Sequence, residues 1–368
     1  MFSYISANRA RTAAIRRRHV GALVFATTVG TVSACVRGGD AATVDRSSPP
    51  GAAGTPFPHM PQIAPIGVRI GKYIDVPVSA RGPAIDPAKG YRLQDLGRGL
   101  YMVTDNAYQS MFLVYDQGVV VVDAPPSYSA HIPQAIAEVT DKPITHVVYT
   151  HSHIDHIGGT KGLGGNPIII AQEETGRLLA RSADSNRPLP TITFADRYTL
   201  RVGDQVLELS YHGNAHEPGN IFISAPKQRV LMAVDVVFPG WMPWRRFVNA
   251  QDIPGYFAQT EEIGRMDWDT LVSGHVARTG THADVQMQVE FLADVKQAAA
   301  AALASTKPGV GMNLLDAGNP WAIYDDFIDR VAGQCVNTLT PRWSARLAAF
   351  DTYIWDQCYA MEQSLRVE

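Results

Sequence analysis

The chain has 368 residues, 46% hydrophobic and 18% charged, with a net charge of −3. That length and apolar content suit one large domain with appendages. An acidic balance with no basic run beyond the first residues argues against a nucleic-acid partner.

Residues 1–35 read as an export signal. Arg9, Arg11, Arg16, Arg17 and Arg18 form a basic stretch without acids, and the apolar run 20–31 is too short to anchor stably across a bilayer. It closes on Val32-Ser33-Ala34-Cys35. Either this resembles a bacterial lipobox with Cys35 as the lipidated residue, or Cys35 is incidental to an ordinary signal peptide. The expected location is the bacterial periplasm or cell envelope, with membrane contact only through that lipid. Losing residues 1–34 removes five arginines and no acid, taking the net charge from −3 to −8. Residues 36–66, rich in Gly, Ala, Ser and Pro, read as a flexible tether carrying a solvent-exposed His59.

A domain is expected over 67–282, with a loose lead-in to about 95 and a core from about Tyr91. Strands are predicted at 99–104, 111–115 and 119–122, the last two joined at Asp116-Gln117-Gly118. A helix at 128–139 precedes the β-branched run Ile144-Thr145-His146-Val147-Val148-Tyr149, which reads as a buried strand. A strand at 167–171, a helix at 172–185 and a hairpin of 200–202 with 205–211 follow. Beyond residue 282 the apolar spacing turns helical at 283–305, 323–335 and 344–365, so 283–368 forms a C-terminal helical extension. Cys335 and Cys358 lie on neighbouring predicted helices of an exported chain, as a disulfide or as two buried thiols.

Directly after the buried strand comes Thr150-His151-Ser152-His153-Ile154-Asp155-His156-Ile157-Gly158-Gly159. Four potential ligands within six residues leave a strand's carboxyl end, where α/β scaffolds place their sites. Imidazole nitrogen and carboxylate oxygen suit zinc, iron or manganese. His151 and His153, two apart on an extended loop, share a direction, while the adjacent Asp155 and His156 diverge toward a second ion. Gly158 and Gly159 are expected to turn the backbone beneath them. A chance match to His-x-His-x-Asp-His in a chain this long is roughly one in two thousand.

At these residues the chain resembles the metallo-β-lactamase superfamily, whose signature is His-x-His-x-Asp-His. The resemblance covers residues 95–282 and implies a four-layer αββα sandwich. It also implies further ligands at His216 in Gly213-Asn214-Ala215-His216-Glu217-Pro218-Gly219-Asn220, at Asp235 after the strand 230–234, and at His275 in Leu271-Val272-Ser273-Gly274-His275. Two divalent ions follow, zinc first, with iron or manganese as alternatives. His151, His153 and His216 would bind one and Asp155, His156 and His275 the other, with Asp235 and a hydroxide bridging. Asp155 is the catalytic candidate that orients the hydroxide or passes a proton. Asp123, ending a strand as the family's aspartate does, either steadies a ligand or caps the next turn. Two departures are Glu217, where many relatives carry a hydroxyl, and Val276, where glycine is common.

Asp235 tilts the activity expected. True zinc β-lactamases resembling this chain usually carry cysteine or serine there, whereas lactonases and thioester hydrolases carry aspartate. The expected function is metal-dependent hydrolysis of a small ester, lactone, thioester or cyclic amide. A β-lactamase proper, a mononuclear-iron oxygenase of the persulfide-oxidising type and a non-catalytic envelope protein with a structural metal are the other readings. Phe238, Trp241 and Trp244 either wall a substrate pocket or close the core edge. Arg245 and Arg246 read either as partners of a substrate anion or as solvent-exposed, His146 as a satisfied core group and His212 as bonded to backbone. His131 and His282 have no evident partner.

Overall fold

The valine run of β4 (Gly118–Val122) is buried on both faces and therefore belongs inside a sheet. In the computed structural model, which describes residues 74–309 and 318–368, it is the fourth of seven strands. The order is β1 (Arg92–Gly97), β2 (Leu100–Thr104), β3 (Gln109–Tyr115), β4, β5 (Ile144–Val148), β6 (Ile168–Gln172) and β7 (Ile192–Phe194). Tight turns make β1 to β4 antiparallel, and β4 to β7 run parallel. Parallel neighbours need crossovers. These contain α1 (Ile132–Ala137), the single turn α2 (Ile154–Ile157) and α3 (Glu173–Ser182).

The second sheet has β8 (Arg197–Val202), β9 (Gln205–Tyr211), β10 (Ile221–Ala225), β11 (Val230–Ala233) and β12 (Thr270–Val272) in the order 12-11-10-9-8. Only β11 and β12 pair parallel within it. Period-two alternation divides the valines of β4 between two cores. Val120 and Val122 join Leu113, Leu207, Ile223 and Met232 between the sheets. Val119 and Val121 join Phe112, Ile132, Ile136 and Leu179 under the helices of the first sheet. On the far side, Phe222, Leu231 and Ala233 pack against the short turn α4 (Arg245–Asn249), α5 (Ile253–Arg265), α6 (His282–Ser305), α7 (Pro320–Trp343) and α8 (Phe350–Val367). The result is the αββα order of layers, and the C-terminal helices share a core with the second sheet.

Several expectations need correction. α7 continues past Cys335 to Trp343 because Leu339 and Trp343 keep its buried stripe, and Pro341 is absorbed in its last turns. α8 begins at Phe350 rather than 344, since Ala349 takes a left-handed conformation at its N-cap. The helix expected at 128–139 shrinks to α1 after a 3₁₀ turn at Ser129–His131. β1, β7 and β10 carried too weak an alternation to be expected. The lead-in is not loose where it meets the second sheet's loops: Ala80 is fully buried, and its carbonyl accepts from Trp241 Nε1 at 2.9 Å. The export signal with Cys35, the tether and His59 lie outside the described residues. No helix among the described residues is long and apolar enough to cross a membrane.

Cys335 and Cys358 form a disulfide joining α7 to α8 across a sequence separation of 23. A loop of that length stabilises by about 3 kcal/mol in the chain-entropy account. The double change Cys335→Ser, Cys358→Ser is expected to lower the denaturation midpoint accordingly, read by thermal melting with and without reductant. An unchanged midpoint would show that the bond does not form.

α6 starts with a capping box in which Thr281 and Asp284 bond each other's backbone N–H, and Arg278 donates twice to the same carboxylate at 2.7 and 2.9 Å. Burial opposes ionisation of Asp284, but Arg278 and Thr281 outweigh it and hold the carboxyl below its ordinary value. A depressed carboxyl stabilises at neutral pH and loses that contribution as pH falls through the folded value. Asp284→Asn should therefore cost about 1–2 kcal/mol at pH 7. In paired melts the gap between the two proteins should close in acid; a gap independent of pH would contradict the assignment.

Candidate metal centre

Loops at four strand ends supply the site. β5 leads into His151 and His153, α2 presents Asp155 and His156, the turn between β9 and β10 carries His216, β11 ends before Asp235, and β12 before His275. The glycines after His156 act differently from the expectation. Gly158 and Gly159 sit at φ −66 and −95, ordinary for any residue. What they provide is room: a Cβ on Gly159 would stand 2.1 Å from Ser129 Oγ, and one on Gly158 2.3 Å from the Ile154 carbonyl. Of the twelve non-glycine residues with positive φ among the described residues, Asp123 (59), Asp235 (62) and Val276 (64) are at or beside the donors.

All seven expected ligands converge. His151, His153, His216 and Asp235 form one group and Asp155, His156 and His275 a second, the donor atoms of each lying within 4.8 Å of one another. Asp235 stands between them. Its Oδ2 is 3.2 Å from His216 Nε2, 3.4 Å from His151 Nε2 and 3.2 Å from His156 Nε2, and its Oδ1 is 2.9 Å from His275 Nε2.

Three of the histidines, His275, His151 and His153, are oriented from behind. His275 Nδ1 donates to the Ala107 carbonyl at 3.1 Å, and His151 Nδ1 faces Thr150 Oγ1 at 3.0 Å. The Thr150 hydroxyl donates in turn to Asp123 at 2.6 Å, and Asp123 also accepts the Thr150 N–H at 2.9 Å. His156 Nδ1 lies 4.0 Å from Asp123. Glu217, tied to Ser152 N and Oγ, stands 3.3 Å from His153 Nε2 and so leaves Nδ1 for the centre. The two departures from the family's pattern thus have places: Glu217 orients a histidine, and Val276 bonds its N–H to the Ala107 carbonyl.

At the centre, ring nitrogens face ring nitrogens. His156 Nε2 meets His275 Nε2 at 3.1 Å and His216 Nε2 meets His153 Nδ1 at 3.0 Å. His151 Nε2 and Asp235 Oδ1 are buried without a hydrogen-bond partner. Imidazole nitrogens and carboxylate oxygens gathered within 4.8 Å of one another suit cations, so the residues fit divalent ions. The His151 ring agrees with this. Burial, with His153 and His156, drives the His151 ring well below its ordinary value, which keeps it neutral as a ligand must be. Burial pulls His156 the same way, yet Asp235 outweighs it and raises the ring to about 9. Burial disfavours ionised Asp235, but His156, His275 and His216 hold it well below the carboxylate range. Burial lifts Asp123 to about 6 against the pull of His156 and Thr150.

Above the donors opens a cleft of about 970 Å³. Phe238, Trp241 and Trp244 all line it, and Phe238 also belongs to the core beneath, stacking on His275 at 5.7 Å between ring centroids. Arg245 and Arg246 are exposed but engaged, the first 3.6 Å from Asp356 and the second over the Tyr359 ring. His212 bonds side chains rather than backbone, with Ser210 Oγ at 2.7 Å and Glu262 at 2.8 Å. His146 is satisfied by Thr145 Oγ1, His131 by Gln134, and His282 by the Trp268 carbonyl.

Some site residues had no signal in the sequence. Tyr108 packs on His275 at 4.7 Å and bonds Asp155; burial first, and Asp155 second, push its hydroxyl up to about 12. Gln109 donates to the carbonyls of Val276 and Arg278 and accepts from Ser273 N, clamping the His275 loop. Thr352 and Tyr353 of α8 reach the cleft from far along the chain.

Stacked mixed sheets with a histidine–aspartate cluster at their strand ends define a metal-binding αββα protein. The family model of the metallo-beta-lactamase superfamily matches residues 103–300, and the chain belongs to that superfamily. It is 28% identical over 222 residues to the 2,4-dinitroanisole O-demethylase subunit alpha of Nocardioides sp. (strain JS1661), covering 58% of this chain and 65% of that one. It is 28% identical over 142 residues to the type 2 metallo-beta-lactamase of Elizabethkingia meningoseptica, covering 37% and 55%. The chain thus spans less than two thirds of either relative. Among solved structures, a metallo-beta-lactamase from Pontibacter korlensis aligns with a TM-score of 0.48 at 18% identity, over 54% of this chain and 97% of that one.

Proposed function

We propose that the chain is a hydrolase holding two divalent ions, one on His151, His153 and His216 and one on Asp155, His156 and His275, with Asp235 shared. The observation that carries this reading is the pair of donor groups meeting at Asp235 on the floor of an open cleft. Nitrogen and oxygen donors favour zinc, with iron or manganese as alternatives. When bound, such ions lower the pKa of water to about 7 and polarise a carbonyl. The protein's own groups do the rest. Asp155, partly exposed in the cleft and bonded to Tyr108, takes the proton of the attacking water and returns it to the leaving group. The water oxygen bonds the acyl carbon, the bond to the leaving group breaks, and an acid and an alcohol, thiol or amine result. No oxidant is needed.

The substrate class is a small ester, lactone, thioester or cyclic amide. Metal quantitation alongside a panel of these, with β-lactams and an activated aryl methyl ether of the kind named in the Nocardioides relative, tests the reading. Two ions per chain and metal-dependent turnover are expected, with turnover lost in His153→Ala while circular dichroism is unchanged. One iron per chain with oxygen uptake would replace hydrolysis by oxygenation. We further propose export with lipidation at Cys35, on the strength of residues 1–35; an unacylated mature N-terminus by mass spectrometry would remove it.

A further inference from the structure

We infer that the cleft is built for an uncharged substrate whose remote half is bulky and apolar or aromatic, and that Trp244 and Tyr353 select it. The inference rests on the hydrolase reading of the same site and adds the kind of molecule accepted.

Tyr108, Phe238, Trp241, Met242, Trp244 and Tyr353 form much of the walls above the donors, and the polar side chains between them, such as Gln251 and Thr352, are neutral. Two of the large hydrophobic side chains that stay exposed face this space, Ile154 at 56% and Trp244 at 44%. Apolar surface left in water at a cleft mouth is covered when an apolar ligand enters, and that transfer favours binding. Charge points the same way. Among the described residues, none that lines the cleft is a lysine or arginine. The nearby Arg245 and Arg246 are engaged with Asp356 and Tyr359, and Asp155 brings a carboxylate. A substrate carboxylate lying along these walls would lose its water and gain no cationic partner from them.

The walls are also fixed. Gln357 of α8, fully buried, accepts from Phe247 N at 2.7 Å and donates to the carbonyls of Pro243 and Trp244 at 2.6 and 3.1 Å. The neighbouring Cys358 carries the disulfide to α7. Met242 N donates to the Ala348 carbonyl at 2.9 Å, and Ala348 N to the Gly240 carbonyl at 3.0 Å. The C-terminal helices therefore set the shape of the pocket. A pre-set apolar wall selects among substrates at low entropic cost.

The test uses pairs of aryl esters with one leaving group, differing only in whether the remote ring bears a methyl ester or a free carboxylate. In the metal-loaded full chain, kcat/KM should favour the neutral member by at least about tenfold. Trp244→Ala and Tyr353→Ala should erode that preference mainly through KM. Thr352→Lys, at an exposed position lining the cleft, should narrow it by improving the carboxylate member. As a readout free of turnover, quenching of tryptophan fluorescence by a neutral aryl ketone and by its carboxylate analogue is titrated with chelator-treated protein. Tighter binding of the neutral ketone supports the inference, even if no ester of either kind is cleaved and the hydrolase reading falls. Equal kcat/KM for each pair, or equal or tighter binding of the carboxylate, overturns it.

Discussion

Asp235→Ala is expected to lower kcat/KM by more than about a hundredfold and to bring the metal content towards one ion per chain. Removing partners behind a ligand typically costs 10–100-fold in affinity or activity, and a ligand common to both groups should exceed that. The reason is geometric. One carboxylate lies within 3.4 Å of the ring nitrogens of His151, His156, His216 and His275, so its loss removes the one group in contact with all four. Asp235→Asn keeps the shape while removing the charge, which separates loss of metal from loss of fold. Metal quantitation beside kcat/KM gives the answer; two ions retained in the alanine protein would show that the carboxylate is no bridge.

The second large effect lies one residue before a ligand. Gly274→Ala is expected to destabilise the fold by about 2–5 kcal/mol and to lower the melting temperature by on the order of 10 °C. Gly274 has φ +82, and an added Cβ would stand 2.5 Å from Val234 Cγ1. Val234 is fully buried between the sheets and has little freedom to retreat. The backbone is held too, because the Gly274 carbonyl accepts from Gln109 N at 2.7 Å. Relief must come from His275, so metal affinity should fall with stability. A variant that melts like the parent would show that this turn does not take the left-handed form.

The sequence made the centre legible because four of its seven donors are packed into His151–His156, and strand runs announced where the others would follow. β3, β4 and β9 were readable from dense β-branched or alternating residues between turns. The walls of the cleft were less accessible. Tyr108 and Gln109 act through contacts with a loop far along the chain, and nothing local distinguishes them from other strand-end residues. Tyr353 and Gln357 sit in a helical stripe whose periodicity reports burial but not what is buried against it. The role of Gly158 and Gly159 was misjudged for a related reason: glycine implies either an unusual φ or a close approach, and only the neighbours Ser129 and Ile154 decide which.

The position of α8 has a consequence for biogenesis. His275 emerges from a ribosome well before residues 350–367, so every donor is available while one side of the substrate chamber is still missing. The proposed metal centre and the chamber above it therefore depend on different stretches of chain, the second on α8 and the disulfide that ties it to α7.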